Sequence, residues 1–338
     1  MLATLTFPAV GEPRPLQREE TVCVRSADDL RRALRAARER RLVLDTSALN
    51  RMLRLDGERN RLELQAATPW RAVAGYLGEH GAVLDAGLRV AVFPDSVGEA
   101  VSANAAGPDG TPMVSHVEAI TLVTPDGELR RVDREGNLNL FRLAVGGHGL
   151  FGVLYSVTLR VDSLLRSAQR AHAPVELDLT GAGVVGGVYR SAEVLVPPEE
   201  LDRVFTDFRD LAAERRITLQ KVLVRKLRPE NETFLRWASR EWAGLTIVFC
   251  TRATLGASVQ AAEIHRLLLE TALSHGGSFP IGEAPIASLA QLDACYPGVR
   301  AFVAEKRRYD PAERMQNRWY RRVAALLRGE SRRSSENE

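Results

Sequence analysis

The sequence predicts an α+β chain built in two parts. Three observations carry that expectation. Short strand-like runs alternate with amphipathic helical runs from Thr21 to Val161, and two of the run pairs read as hairpins. After Val161 the style changes to longer strands and helices of a separate α+β lobe. With 338 residues and 45% apolar residues, the chain is long enough for two domains, or for one large domain with an inserted lobe.

Taken in order, residues 1–20 hold Pro8, Pro13 and Pro15 and little periodicity, so a surface tail is expected. Thr21–Arg25 reads as a strand. Ser26 then caps a helix, with Asp29 at the capping-box position and Leu30, Ala33, Leu34 and Ala37 on one face. Leu42–Asp45 is a second strand. Met52–Asp56 and Arg61–Ala66 form a hairpin around Gly57. Thr68-Pro69 opens a helix, Thr as cap and Pro at the first position, which ends near His80-Gly81. Residues 82–110 are rich in Gly, Ala, Pro and Asp and show no clear element, as a binding loop or buried coil would. Val117–Thr124 and Glu128–Val132 make a hairpin across Asp126-Gly127. Leu138–Val145 reads as a helix and Val153–Val161 as a strand. Beyond them come a helix over Glu199–Ala213, strands over Thr218–Leu227 and Leu245–Thr251, and a helix over Val259–Ser274. That helix stops at His275, with Gly276-Gly277-Ser278 as its C-cap. Leu292–Arg328 closes the chain, broken at Tyr296-Pro297 and Tyr309-Asp310-Pro311, and polar Gly329–Glu338 is expected to be disordered.

A net charge of only +3, with 26% charged residues, argues against a strongly basic nucleic-acid binder and against a disordered polyelectrolyte. No apolar run approaches the roughly 18 residues of a membrane span, and residues 1–20 lack the pattern of a signal peptide. Cytoplasmic residence, a small-molecule substrate and no nucleic-acid or membrane partner are the resulting expectations. Cys23, Cys250 and Cys295 are too far apart for a disulfide framework or a zinc knuckle. None of His80, His116, His148, His172, His265 and His275 has metal-ligand spacing with another, so no metal site is expected. Gly147-His148-Gly149-Leu150-Phe151-Gly152 spells a dinucleotide fingerprint, but a helix precedes it and a strand follows. A nucleotide-binding turn needs the reverse order. These glycines are therefore read as a tight turn where backbone passes close to a ligand or another strand. Arg307-Arg308 and Arg321-Arg322 read as solvated helix faces.

One ordered series goes further. It runs through Pro94-Asp95-Ser96-Val97-Gly98, Ala103-Asn104-Ala105-Ala106-Gly107, His116-Val117-Glu118 and the Asp126-Gly127-Glu128 turn. It ends in Asn139-Leu140-Phe141 and Ala144-Val145-Gly146-Gly147-His148-Gly149-Leu150-Phe151-Gly152-Val153. In this it resembles the flavin-binding domain of the FAD-linked oxidases of the vanillyl-alcohol oxidase and p-cresol methylhydroxylase type. The resemblance implies an FAD-binding PCMH-type domain of two α+β subdomains over residues 21–163 and an α+β substrate lobe over 164–290. A closing segment, 291–328, would pack back on the flavin domain, between tails 1–20 and 329–338. It implies FAD held at Ser96, Val97, Gly98, Ala103, Asn104, Gly107 and Val153, with Val153 meeting the adenine through its backbone. It implies an oxidoreductase acting on an alcohol or sugar-like CH–OH carbon. It assigns no catalytic residue in this chain.

The departures from the family pattern fall on the cofactor loop and the substrate face. The family's pyrophosphate loop, and the strand before it, are missing between the first helix and Leu42, where Arg38-Glu39-Arg40-Arg41 runs straight into the strand. Glu99 replaces a glycine and Ala106 a residue that is often His. Without the loop there is no covalent anchor, so non-covalent, weakened FAD binding is expected. Ser278-Phe279-Pro280-Ile281-Gly282-Glu283 stands where Tyr, His and Arg would be expected, and Phe249-Cys250-Thr251 where His would be. A flavin-free descendant, a non-redox enzyme or binding partner on the old scaffold, is the alternative.

Overall fold

A computed structural model of the chain describes residues 2–5, 20–36, 42–81, 94–178, 187–252, 254, 256–283 and 287–336. The chain divides into two units. The first holds residues 1–171, 230–236 and 298–324, and the second holds 172–229, 237–297 and 325–338.

In the first unit, strands β1 (Leu2–Leu5), β2 (Glu20–Cys23) and β3 (Leu42–Asp45) form a small sheet in the order β1-β3-β2. β3 runs parallel to β2 and antiparallel to β1. Helix α1 (Ala27–Ala36) covers it, burying Leu30, Ala33 and Leu34 against Val24, Leu44 and Leu49. Each buried leucine contributes roughly 1.5–3 kcal/mol, so this short helix is held by packing more than by propensity. Ser26 Oγ accepts from the Asp29 amide at 3.1 Å, while the Asp29 carboxylate accepts from the Arg25 amide, one residue earlier than a capping box requires. Ala37 lies outside the described residues.

The larger sheet has the order β4-β5-β8-β6-β7, with β4 (Met52–Asp56), β5 (Arg61–Gln65), β6 (Val117–Val123), β7 (Leu129–Asp133) and β8 (Val153–Arg160) all antiparallel. Both expected hairpins are present. Helix α2 (Trp70–Glu79) follows β5. Its N-cap is Pro69 and the buried Thr68 hydroxyl finds no partner, so the expected threonine cap does not form. Helices α3 (Val97–Ser102), α4 (Leu138–Ala144) and α5 (Val161–Gln169) complete this part, with α9 (Val299–Tyr309) from the closing segment.

The second unit is a sheet of order β10-β12-β11-β9, made of β9 (Val175–Asp178), β10 (Gly187–Val196), β11 (Thr218–Leu227) and β12 (Trp242–Arg252). Helix α7 (Ala257–Ser274) packs on it, α6 (Leu201–Arg215) lies against α7, and α8 (Leu289–Cys295) follows. Gly276 at φ 70° ends α7, and the Gly277 amide reaches back to Ala272 O at 3.0 Å, as a helix-ending turn requires.

Several expectations are corrected. Leu2–Leu5 is a strand rather than loose tail. Residues 97–102 are helical within the segment expected to hold no element, because Val97, Ala100 and Val101 present one buried face and Ser96 supplies the cap. Residues 82–93 of that segment lie outside the described residues. Helix α5, β9 and β10 carry no strong signal in the sequence and form nonetheless. The polar end continues as helix α10 (Arg318–Glu336), started by the buried Trp319, Tyr320, Val323 and Ala324.

Candidate cofactor site

The Gly-containing segments at 96–107 and 146–153 meet at α3. Ser96 is its N-cap, with Oγ accepting from the Glu99 amide at 3.3 Å. The Val97 amide donates to Thr68 O at 3.0 Å and the Gly98 amide to Ala66 O at 2.6 Å. The helix thus starts by seating its first turn on the β5–α2 junction. A Cβ on Gly98 would lie 2.7 Å from Ala66 O, so the missing side chain here serves contact with the chain's own backbone. At the far end, the Ala103 amide bonds Glu99 O and the Asn104 amide bonds Val101 O. Asn104 sits at φ 47°, in the left-handed region that Asn tolerates better than most residues. Its fully buried side chain accepts from the Val114 amide at 2.9 Å and donates to Glu230 at 3.4 Å. The Gly107 amide bonds Thr111 O, and Ala106 is buried beside Pro112.

The 146–152 turn docks on the same helix. The Gly146 amide donates to Val101 O and the His148 amide to Ser102 O. A Cβ on Gly147 would sit 2.1 Å from Leu143 O, and one on Gly152 2.6 Å from Val123 O, so two of these glycines are close passages of backbone against backbone. His148, at φ 49°, is half-buried beside Trp319, edge-on at 6.2 Å. Burial alone pushes its pKa down to about 4, so the ring is neutral at pH 7. His116 is also driven to about 4 by burial, and its Nδ1 lies 2.8 Å from Ser163 Oγ.

Val153 opens β8. Its side chain is packed with Val24, Leu30, Leu44 and Val123. On one side β8 pairs with β6, Val123 opposite Val153. On the other side β5 ends at Gln65 opposite Ser156, and one further bond joins Ala66 to Tyr155. The backbone of Val153 thus extends past the end of β5.

Residues 33–133 match the FAD binding domain family. That stretch is an FAD-binding domain. FAD is the cofactor of this flavin domain. Solved structures share its fold across 88% of the chain. Xylooligosaccharide oxidase from Myceliophthora thermophila C1, in complex with xylobiose, is similar at a TM-score of 0.65, with 11% identity over 90% of its own chain. Chitooligosaccharide oxidase is similar at 0.65, with 12% identity over 90% of its chain. Alkyldihydroxyacetonephosphate synthase reaches 0.58, with 11% identity over 76% of its chain. No curated protein sequence matches.

The residues in and beside this domain fit FAD at two points. The strand edge at Val153 can meet an adenine through main-chain groups, and the buried, unpartnered Thr68 hydroxyl beside α3 can donate to a phosphate or ribose oxygen. At the start of α3 the fit is poorer, since the Val97, Gly98 and Glu99 amides all have partners within the protein. Only five residues separate α1 from β3, too few for a further strand and a phosphate loop.

On the second unit's side, Ser278 exchanges both backbone hydrogen bonds with Leu195 at 2.8 Å. Phe279 is buried beneath Tyr296, whose hydroxyl donates to Phe279 O. Phe249 and Cys250 are buried in β12. Sequence reasoning missed Glu230, which lies 126 positions from Asn104 and has no motif around it.

Proposed function

We propose that the protein is an FAD-linked oxidoreductase that holds FAD without a covalent bond and oxidises the CH–OH carbon of an alcohol or sugar-like small molecule. The observation that carries this reading is the β8 edge at Val153, which pairs with β6 of the matched stretch 33–133 and runs on where β5 has ended. Ser96, Val97, Gly98, Ala103, Asn104 and Gly107 surround α3 and form the other wall in this reading. Two structures of the same fold are named as oligosaccharide oxidases, which supports a sugar-like substrate. When bound, FAD supplies the two-electron acceptor for such an oxidation. The protein's share is to bind, orient and shield. Neutral, half-buried His148 keeps a charge away from the turn that meets α3.

A second reading, a chain that keeps the scaffold without a flavin, is favoured by the engaged amides of α3 and the short α1–β3 connection. Visible absorption of the purified protein separates the two. A flavin spectrum released to the supernatant by acid supports the first. Colour retained in the pellet contradicts the non-covalent assignment. A colourless protein that quenches no added FAD fluorescence supports the second.

A further inference from the structure

Residues 230–236 connect β11 and β12 of the second unit, yet they belong to the first. They are fixed there by two carboxylates. Glu230 is buried and accepts from the Glu232 amide at 2.6 Å, the Thr233 amide at 2.9 Å and the Thr233 hydroxyl. Its Oε1 also takes the Asn104 Nδ2–H at 3.4 Å. Asn104 Oδ1 in turn holds the Val114 amide. Glu232 grips Arg134 through two contacts, at 2.6 and 3.1 Å. Arg134 passes that grip on, donating to Val117 O at 2.7 Å and Val114 O at 3.0 Å. Val114 is therefore held at its N–H through Asn104 and at its C=O through Arg134, and both lines lead to the same short turn.

We propose that Glu230 is a positioning residue of the cofactor site, orienting the Asn104 side chain and with it the backbone from Ala103 to Val114. This rests on the flavin reading above. Asn104 takes up the left-handed conformation between α3 and Gly107, and the Cβ of a residue at Gly146 would meet its side chain at 3.2 Å. A left-handed residue whose amide group can rotate leaves its loop loosely determined. A carboxylate can only accept, so it dictates which end of the Asn104 amide faces it and leaves Oδ1 for Val114. A carboxylate seated by three donors of its own turn is a fixed reference for that choice.

The test uses the full chain and three proteins: wild type, Glu230→Gln and Glu232→Gln. Glu230→Gln keeps size and one acceptor but turns a donor toward Asn104 Nδ2. Glu232→Gln loosens the same turn without touching Asn104, and so reports general loss of stability. In flavin-free protein, hydrogen exchange over 103–114 is expected to speed up in Glu230→Gln beyond any change in Glu232→Gln. Titration with FAD is expected to show roughly fivefold to tenfold weaker binding in Glu230→Gln, the scale of one ordinary hydrogen bond. Unchanged exchange over 103–114 overturns the proposal. So does faster exchange with unaltered FAD affinity, or an affinity loss matched in Glu232→Gln. Wild type that takes up no FAD removes the flavin reading itself. Faster exchange would then leave Glu230 as a purely structural tie.

Discussion

Four residues of the candidate site and its surroundings carry opposing demands. Gly98 leaves no space for a side chain because Ala66 O would lie 2.7 Å from its Cβ. Gly98→Val should therefore destabilise the flavin-free protein by about 1–3 kcal/mol, the usual cost of overpacking. Urea unfolding without flavin checks this, and an unchanged midpoint would return Gly98 to a role in ligand contact alone. Glu99 sits three residues after the Ser96 cap, where a carboxylate favours a helix N-terminus. Glu99→Gln removes its charge while retaining a helix-forming side chain. If the FAD pyrophosphate lies close to α3, titration should show at least several-fold tighter FAD binding, because a like-charge repulsion of order 1 kcal/mol is relieved. Equal or weaker binding would place that carboxylate away from the phosphates. His148 and His116 have pKa values near 4 in the folded protein against about 6.5 when unfolded. The unfolded chain then binds more protons between those values, so stability falls as pH drops from about 6.5 towards 4. For half-buried His148 the loss is at most about 3 kcal/mol, since solvent screens part of the shift. His148→Asn keeps a residue suited to φ 49°. Its unfolding free energy should vary less steeply between pH 4 and 6.5, and an identical slope would refute the assignment.

Among the elements, α6 and α7 are joined by a histidine of the opposite sign. His275, just past α7, contacts Asp207 at 2.7 Å and Glu200 at 3.2 Å. Those contacts raise its pKa above 6.5, the Asp207 bond contributing most. The clasp is therefore complete below about pH 6.5 and is lost as pH rises through the elevated folded value. Hydrogen exchange at the C-terminal turn of α7 should quicken above that pH in wild type. In Asp207→Asn the rise should move to lower pH, and an unmoved profile would exclude the clasp. How legible the elements were follows from what fixes each. β3 and both hairpins were readable because short apolar or alternating runs and turn glycines are local signals. Helix α3 was not, since six residues including Gly98 and Ser102 have weak propensity and fold through burial of Val97, Ala100 and Val101. β1 was hidden for a related reason: Leu2–Leu5 becomes a strand through pairing with β3, some forty positions on. Within the site, the glycine series was legible as a motif. Its partners Thr68, Glu230 and Trp319 were not, because they are contacts across long stretches of chain.

At the level of the molecule, the first unit is assembled from three separated stretches, 1–171, 230–236 and 298–324. Arg314 donates to Leu34 O and Pro125 O, and Asn317 Nδ2 to His148 O at 3.2 Å, so the last stretch fastens α1, the β6–β7 turn and the glycine turn together. Phe151 lies edge-on to Phe302 at 5.2 Å, adding an aromatic seam between that stretch and the end of the glycine turn. A fragment ending at residue 171 should therefore lack a cooperative unfolding transition, although it contains every strand of both its sheets. Circular dichroism during urea titration tests this, and a sharp transition in the fragment would show that the later stretches are dispensable. The same threading has a consequence for synthesis. A ribosome delivers the chain from its N-terminus at about 5–20 residues per second. The surface that Phe302 and Trp319 later cover, around Phe151 and His148, must wait for more than a hundred further residues to emerge. During that interval the nascent chain presents an unfinished apolar seam, and the second unit, complete in its sheet by Arg252, has the opportunity to fold first.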